Sequence, residues 1–157
     1  MSEIAKFIIF IGPVSSIFDY TTFCLMWFFF KCSNLALAAP PELAARFTHS
    51  ADADHTYASA LFGTCWFVES LMTQTLIVHV IRTNLIPFVQ SRASWQLTVT
   101  TFVIMGVGAV LPFTFLARYL NFVPIPWQFW PFILVTLVCY VALTQLVKMW
   151  LVKKRWI

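Results

Sequence analysis

Four apolar runs, at 7–30, 57–81, 97–116 and 130–151, constrain this chain more than any other feature. As a helix each is long enough to cross a hydrocarbon core, which is about 30 Å thick and takes about 20 helical residues. The composition agrees, with 61% apolar and only 10% charged residues, against the roughly 25% charged of soluble domains. The expected fold is therefore all-α and membrane-embedded, a four-helix transmembrane bundle with an outer loop at 31–56. The first run contains Asp19 and ends at Lys31 without a small-residue cleavage pattern, so it reads as a retained span and not a signal peptide.

An even number of spans puts both termini on one side, and the basic residues say which. With a cytoplasmic N-terminus, the inner side carries Lys6, Arg82, Arg92, Lys148, Lys153, Lys154 and Arg155, and the outer side only Lys31, Arg46 and Arg118. The positive-inside rule thus predicts cytoplasmic termini. The net charge of +4 is explained by this asymmetry and does not call for nucleic acid as a partner. The basic end from Lys148 to Arg155 is suited to anionic lipid headgroups.

Cysteines give no framework: Cys24, Cys65 and Cys139 lie in spans and Cys32 just beyond one, with no C-x-x-C pair. They are expected to be packing thiols. The outer loop holds His49, Asp52, Asp54 and His55, which have ligand chemistry but nothing to fix their geometry, so a solvated loop is the simpler reading. The inner connector from Arg82 to Ser94 is short, with an apolar Leu85, Ile86, Pro87 and Phe88 that suits either a docking point or the membrane interface.

The polar residues inside the spans are the candidates for function. A carboxylate at the middle of a membrane helix costs about 2.5 to 3.5 kcal/mol on insertion scales, so Glu69 is expected to face protein or water. Thr73 lies one turn on over the same face, while Ser70 and Gln74 form a second polar pair turned away by roughly 100 to 140°. In the first span Ser15, Ser16, Asp19 and Thr22 recur at helical spacing, with Phe18, Leu25, Phe28 and Phe29 assigned to a lipid face and Gly12-Pro13 to the first turn. The alternative to an ion site is helix packing through interhelical hydrogen bonds, which stands open for Glu69 and is the preferred reading for Asp19. The third span carries no ionisable group and is expected to serve packing and lipid contact. The last presents Thr136, Tyr140, Thr144 and Lys148 at steps of four, a polar stripe expected to face inward.

At IGPVSSIFDYTTF and again at WFVESLMTQTLIVHVIRTNLIPFVQSRAS the chain resembles the C-terminal membrane region of bacterial magnesium-transporting P-type ATPases. The likeness continues more weakly through the third span ending in LPF, the WPF opening the last span and the TQLVK near the C-terminus. The resemblance implies the seventh to tenth spans of such a pump, in a bacterial inner membrane, with 1–157 as one C-terminal membrane domain. It implies Mg²⁺ as transported ion, with Glu69 in the place of an eighth-span acidic ligand and the Thr73 hydroxyl near it; Mg²⁺ prefers oxygen donors and keeps several waters. Asp19, with Ser15, Ser16 and Gln74, is implied as membrane-embedded structural support.

The chain lacks the Asp-Lys-Thr-Gly-Thr phosphorylation sequence and a nucleotide-binding domain, so it is not expected to hydrolyse ATP by itself. ATP would act only through those domains, and the remaining spans and cytoplasmic domains would be its partners, with no catalytic residue here. The first loop is longer than the family pattern, and Met1 so near a span implies a truncated or split gene product, or a fragment of a longer chain. The alternative expectation is a free-standing four-span protein, either a regulatory subunit or a passive ion-conducting oligomer.

Overall fold

The structure is a computed structural model and describes residues 3–34, 37–47, 56–82 and 95–153. Helix α1 (Glu3–Cys24) continues into a π turn, Leu25–Phe29; a short α2 (Ala44–Phe47) lies in the outer loop. Three long helices follow, α3 (Tyr57–Arg82), α4 (Trp95–Val110) and α5 (Phe129–Lys153), with two 3₁₀ turns between the last two. No strand occurs among the described residues. Four segments are long and apolar enough to cross a membrane: Ile9–Phe29, Tyr57–Val78, Trp95–Phe113 and Phe129–Leu151.

Helices α1, α3 and α5 each touch the other two, and α4 packs on α3. The buried positions explain why. Ile11, Val14, Phe18 and Thr22 of α1 recur every three or four residues, as do Leu61, Cys65, Val68 and Met72 of α3. On α5 the buried row is Phe129, Ile133, Leu137, Tyr140, Thr144, Lys148 and Leu151. Each spacing lays one continuous ridge along its helix, and the three ridges meet.

Two sequence expectations for α1 are corrected. Phe18 is not on a lipid face: it is buried, and its ring meets that of Tyr140 edge-on at 5.3 Å and 89°. The reason is its place one turn before Thr22 on the buried ridge; only Phe28 and Phe29 of the four expected there are exposed. Nor does Pro13 sit in the first turn, because α1 begins at Glu3 and Pro13 lies inside it. Having no N–H, it leaves the carbonyl of residue 9 without its helical donor.

At the outer end the loops are tied to α3. Thr64 donates to the Ala60 carbonyl at 2.6 Å and accepts from the Val123 N–H at 3.1 Å, while Arg46 Nη1 donates to the Phe122 carbonyl at 3.1 Å. Cys32 joins the apolar cluster formed by Met26, Tyr57, Leu61, Cys65 and Phe129. Burial pushes its thiol up to about 11. Cys32 and Cys65 are packing thiols as expected, whereas Cys24 and Cys139 are exposed. Helix α4 ends where Pro112 enters a 3₁₀ turn, Leu111–Phe113, since proline cannot donate to the preceding turn.

Candidate functional site

The α3 face that carries Glu69 and Thr73 is the face that meets α1 and α5. Both side chains are only 1% exposed. The Thr73 hydroxyl is shared between the carbonyls of Glu69 and Ser70, each at 3.1 Å, so its single proton goes to its own helix and not to the carboxylate. Neither carboxylate oxygen of Glu69 meets a donor at full hydrogen-bond geometry among the described residues, the Thr22 hydroxyl coming nearest to serving as one. Thr22 of α1 faces the carboxylate, and Asp19 lies within electrostatic range of it.

Helix α5 closes the third side with Tyr140, whose neighbours include Ser15, Asp19 and Glu69. Tyr140 and Thr144 are fully buried; the Ser15 hydroxyl approaches that of Tyr140, but neither Tyr140 nor Thr144 makes a full hydrogen bond through its hydroxyl among the described residues. A buried polar atom left without a partner costs about 1 to 3 kcal/mol, and such atoms are few in folded proteins. Here four of them, the two Glu69 oxygens with Tyr140 Oη and Thr144 Oγ1, belong to the buried faces of α3 and α5, and Tyr140 lies within electrostatic range of Glu69. The arrangement presents oxygens with free lone pairs and rotatable O–H donors. Chemically it can take up water, or contribute oxygen to the shell of a hard cation. Among the described residues no three His, Cys, Asp or Glu side chains converge as a metal cage.

The other polar residues of α1 and α3 lie elsewhere. Asp19 is half-buried at the edge of the α1–α3 contact, where it lines two adjoining clefts of about 370 and 260 Å³. Ser70 and Gln74 border the larger and Ser16 the smaller. Gln74 Nε2 donates to Ser70 Oγ at 3.1 Å, so this pair forms along the helix, one turn apart. Ser15 is half-buried on the Tyr140 side, and Ser16 is exposed, its hydroxyl 3.5 Å from the Gly12 carbonyl.

Sequence reasoning placed Tyr140 and Thr144 on one inward stripe but did not join them to Glu69. Their spacing was visible; the register that brings the stripe level with Glu69 was not. The His49 to His55 stretch and residues 83–94 of the inner connector lie outside the described residues, as does the side chain of His79.

Three mutually packed helices around a buried carboxylate, with a fourth on the outside, define a multi-pass α-helical membrane protein. The chain matches the family model described as cation transporting ATPase, C-terminus, over residues 2–150. It belongs to that family. It is 43% identical over 147 residues to the magnesium-transporting ATPase, P-type 1, of Salmonella typhimurium strain LT2 and to that of Escherichia coli K12, covering 94% of this chain. A second protein of that description from Salmonella typhimurium is 38% identical over 152 residues, or 97% of the chain. The chain spans 14% of the length of each of these relatives. Four membrane-length helices and this bacterial kinship make it a multi-pass protein of the bacterial inner membrane.

Proposed function

We propose that the chain is the C-terminal membrane portion of an ATP-driven magnesium pump, with residues 1–157 forming one domain and both of its ends cytoplasmic. In this reading α1, α3, α4 and α5 are the seventh to tenth spans of the parent. ATP hydrolysis and aspartyl phosphorylation take place in the parent's other domains, and Mg²⁺ is the cargo. The α1–α3–α5 bundle braces the spans that carry the ion, and Glu69 stands at the edge of the ion's path.

The observation that carries the proposal is the Glu69 carboxylate, 1% exposed, with neither oxygen in a full hydrogen bond and only the Thr22 hydroxyl approaching it among the described residues. A side chain serving only to fix helix packing would have its oxygens engaged by neighbouring donors. Free lone pairs are instead what a transported cation or its hydration water requires. Thr73 supports the site indirectly: its hydroxyl is anchored to the backbone of Glu69 and Ser70, which steadies the turn that aims the carboxylate.

The test is Glu69→Gln in the full-length pump reconstituted in lipid vesicles. Gln keeps the shape and the oxygen while removing the charge. Magnesium-dependent ATP hydrolysis and magnesium uptake are expected to fall by about tenfold or more, equivalent to roughly 1.4 kcal/mol at the transition state. The melting temperature should be unchanged. Wild-type transport by Glu69→Gln would remove Glu69 from the ion path.

A further inference from the structure

The buried ridge of α5 changes character halfway along. Its outer half is apolar, with Phe129, Ile133 and Leu137. From Tyr140 onward the same ridge carries Thr144 and Lys148, and Gln145 is buried beside them. Even Lys148 is only 4% exposed. Apolar side chains serve helix packing without the cost of burying polar atoms, as the outer half does, so the polar half needs another reason.

Three oxygens of that half, Tyr140 Oη, Thr144 Oγ1 and Gln145 Oε1, are buried without a full hydrogen bond among the described residues. Each four-residue step along the row rises about 6 Å. That is too far for a direct hydrogen bond and close to the span of two, each about 2.8 Å, made through one water molecule. Buried polar groups so spaced are the kind that hold internal water. The row begins at Tyr140, within electrostatic range of Glu69, and reaches Lys148 near the end of α5 at Lys153. The ring of Phe10 meets that of Trp150 edge-on at 6.0 Å, which keeps α1 against α5 along this end. Asp19 of α1 and Tyr140 of α5 are the ionisable groups near Glu69, and α4 (Trp95–Val110) brings none.

We propose that the inner half of α5 holds a file of water molecules, past Tyr140, Thr144 and Lys148, along which a proton passes between the cytoplasm and the Glu69 carboxylate. A buried carboxylate that has lost its cation is an uncompensated charge. One proton, taken from hydronium and leaving water, neutralises it, and the next cation sends that proton back by the same route. Hydroxyls donate and accept at once, so Tyr140 and Thr144 pass a proton on without keeping it. Lys148 stands toward the mouth with a proton that it can give inward and regain from bulk, while its charge repels a metal cation. The inference rests on the reading of Glu69 as part of the ion's path, and adds where its proton comes from.

The experiment has two arms, both on the full-length protein in lipid vesicles. In the first, X-ray radiolysis of water generates hydroxyl radicals that mark side chains beside ordered water, and the products are read by mass spectrometry. Tyr140 and Phe129 are matched aromatic residues of one ridge, 0% and 1% exposed. After allowance for their intrinsic reactivities, Tyr140 is expected to be labelled about tenfold faster, because only its half of the ridge is wet. Equal labelling overturns the water file, whatever ion the protein moves.

In the second arm, ATP turnover at saturating Mg²⁺ is measured in H₂O and in D₂O. Thr144→Val keeps the volume and removes the hydroxyl. Its turnover is expected to fall about fivefold with a larger isotope effect, at unchanged half-saturating Mg²⁺ and melting temperature, and Thr144→Ser should restore it. Normal turnover by Thr144→Val, or an equal loss in Thr144→Ser, overturns the proton path while a slow Glu69→Gln leaves the pump reading standing. Normal turnover by Glu69→Gln overturns both.

Discussion

Helices α3 and α4 are sequence neighbours that pack against each other, yet they belong to different environments. The most apolar part of α4 has the higher mean hydropathy, 1.7 against 1.3 for α3, but less of it is buried in the protein, 17% against 39%. In a water-soluble domain the order would be reversed. In a bilayer both lipid and protein interior are apolar, so hydropathy says only that a helix crosses. What marks burial is polarity: α3 carries Thr64, Glu69 and Thr73 inward, each no more than 1% exposed, and α4 turns Phe102, Val103 and Val107 outward.

The largest effect expected from this contrast is Tyr140→Ala. It empties a fully buried ring from the face that α5 turns toward α1 and α3, and should destabilise the detergent-solubilised protein by about 3 to 5 kcal/mol in thermal unfolding. A loss no greater than that of a lipid-facing substitution would mean that α5 does not close the site.

Next comes the seam between the two helices. A Cβ added at Gly108 would run into the Leu71 side chain, whereas Gly106 has open space around it. Gly108→Leu is therefore expected to cost about 1 to 3 kcal/mol and Gly106→Leu much less. Equal melting temperatures for the two variants would break the assignment of the α3–α4 contact.

On the lipid side, Val107→Leu should stay within about 0.5 kcal/mol of the wild type in the same assay, because it alters no internal contact. A larger change would show that other protein covers this side of α4.

The remaining effect is alkaline and lies at the outer loop. Burial raises the Cys32 thiol from an ordinary 9.0 to about 11. A group whose folded value is raised contributes its full stability below the unfolded value and loses it as pH rises through the folded one. Stability should thus decline between about pH 9 and 11 by an increment that Cys32→Ala lacks, read as the difference in melting temperature between the two proteins. Parallel pH curves would mean that the thiol is not buried.

Much of the architecture was legible beforehand. Apolar runs of bilayer length gave the helices, and the four-residue steps from Thr136 to Lys148 gave the inward face of α5. The separation of Ser70 and Gln74 from Glu69 and Thr73 followed from helical rotation alone. Phe18 was misplaced because residues of a short polar stripe were weighted over the ridge formed by Ile11, Val14, Phe18 and Thr22. In a membrane helix an aromatic ring is equally at home in lipid or protein, so composition offered no correction.

The sequence by itself determined that this is a membrane chain with four spans, which residues share a helix face, and that Glu69 and Asp19 need polar surroundings. Local geometry and the insolubility of charge in hydrocarbon are enough for that. Only the tertiary structure decided which surroundings each has. The register and rotation of α1, α3 and α5 bury Glu69 within reach of Tyr140 and leave Asp19 at the edge of an open groove. Those relations depend on how ridges of side chains on separate helices interlock, and no pattern within a single helix encodes them.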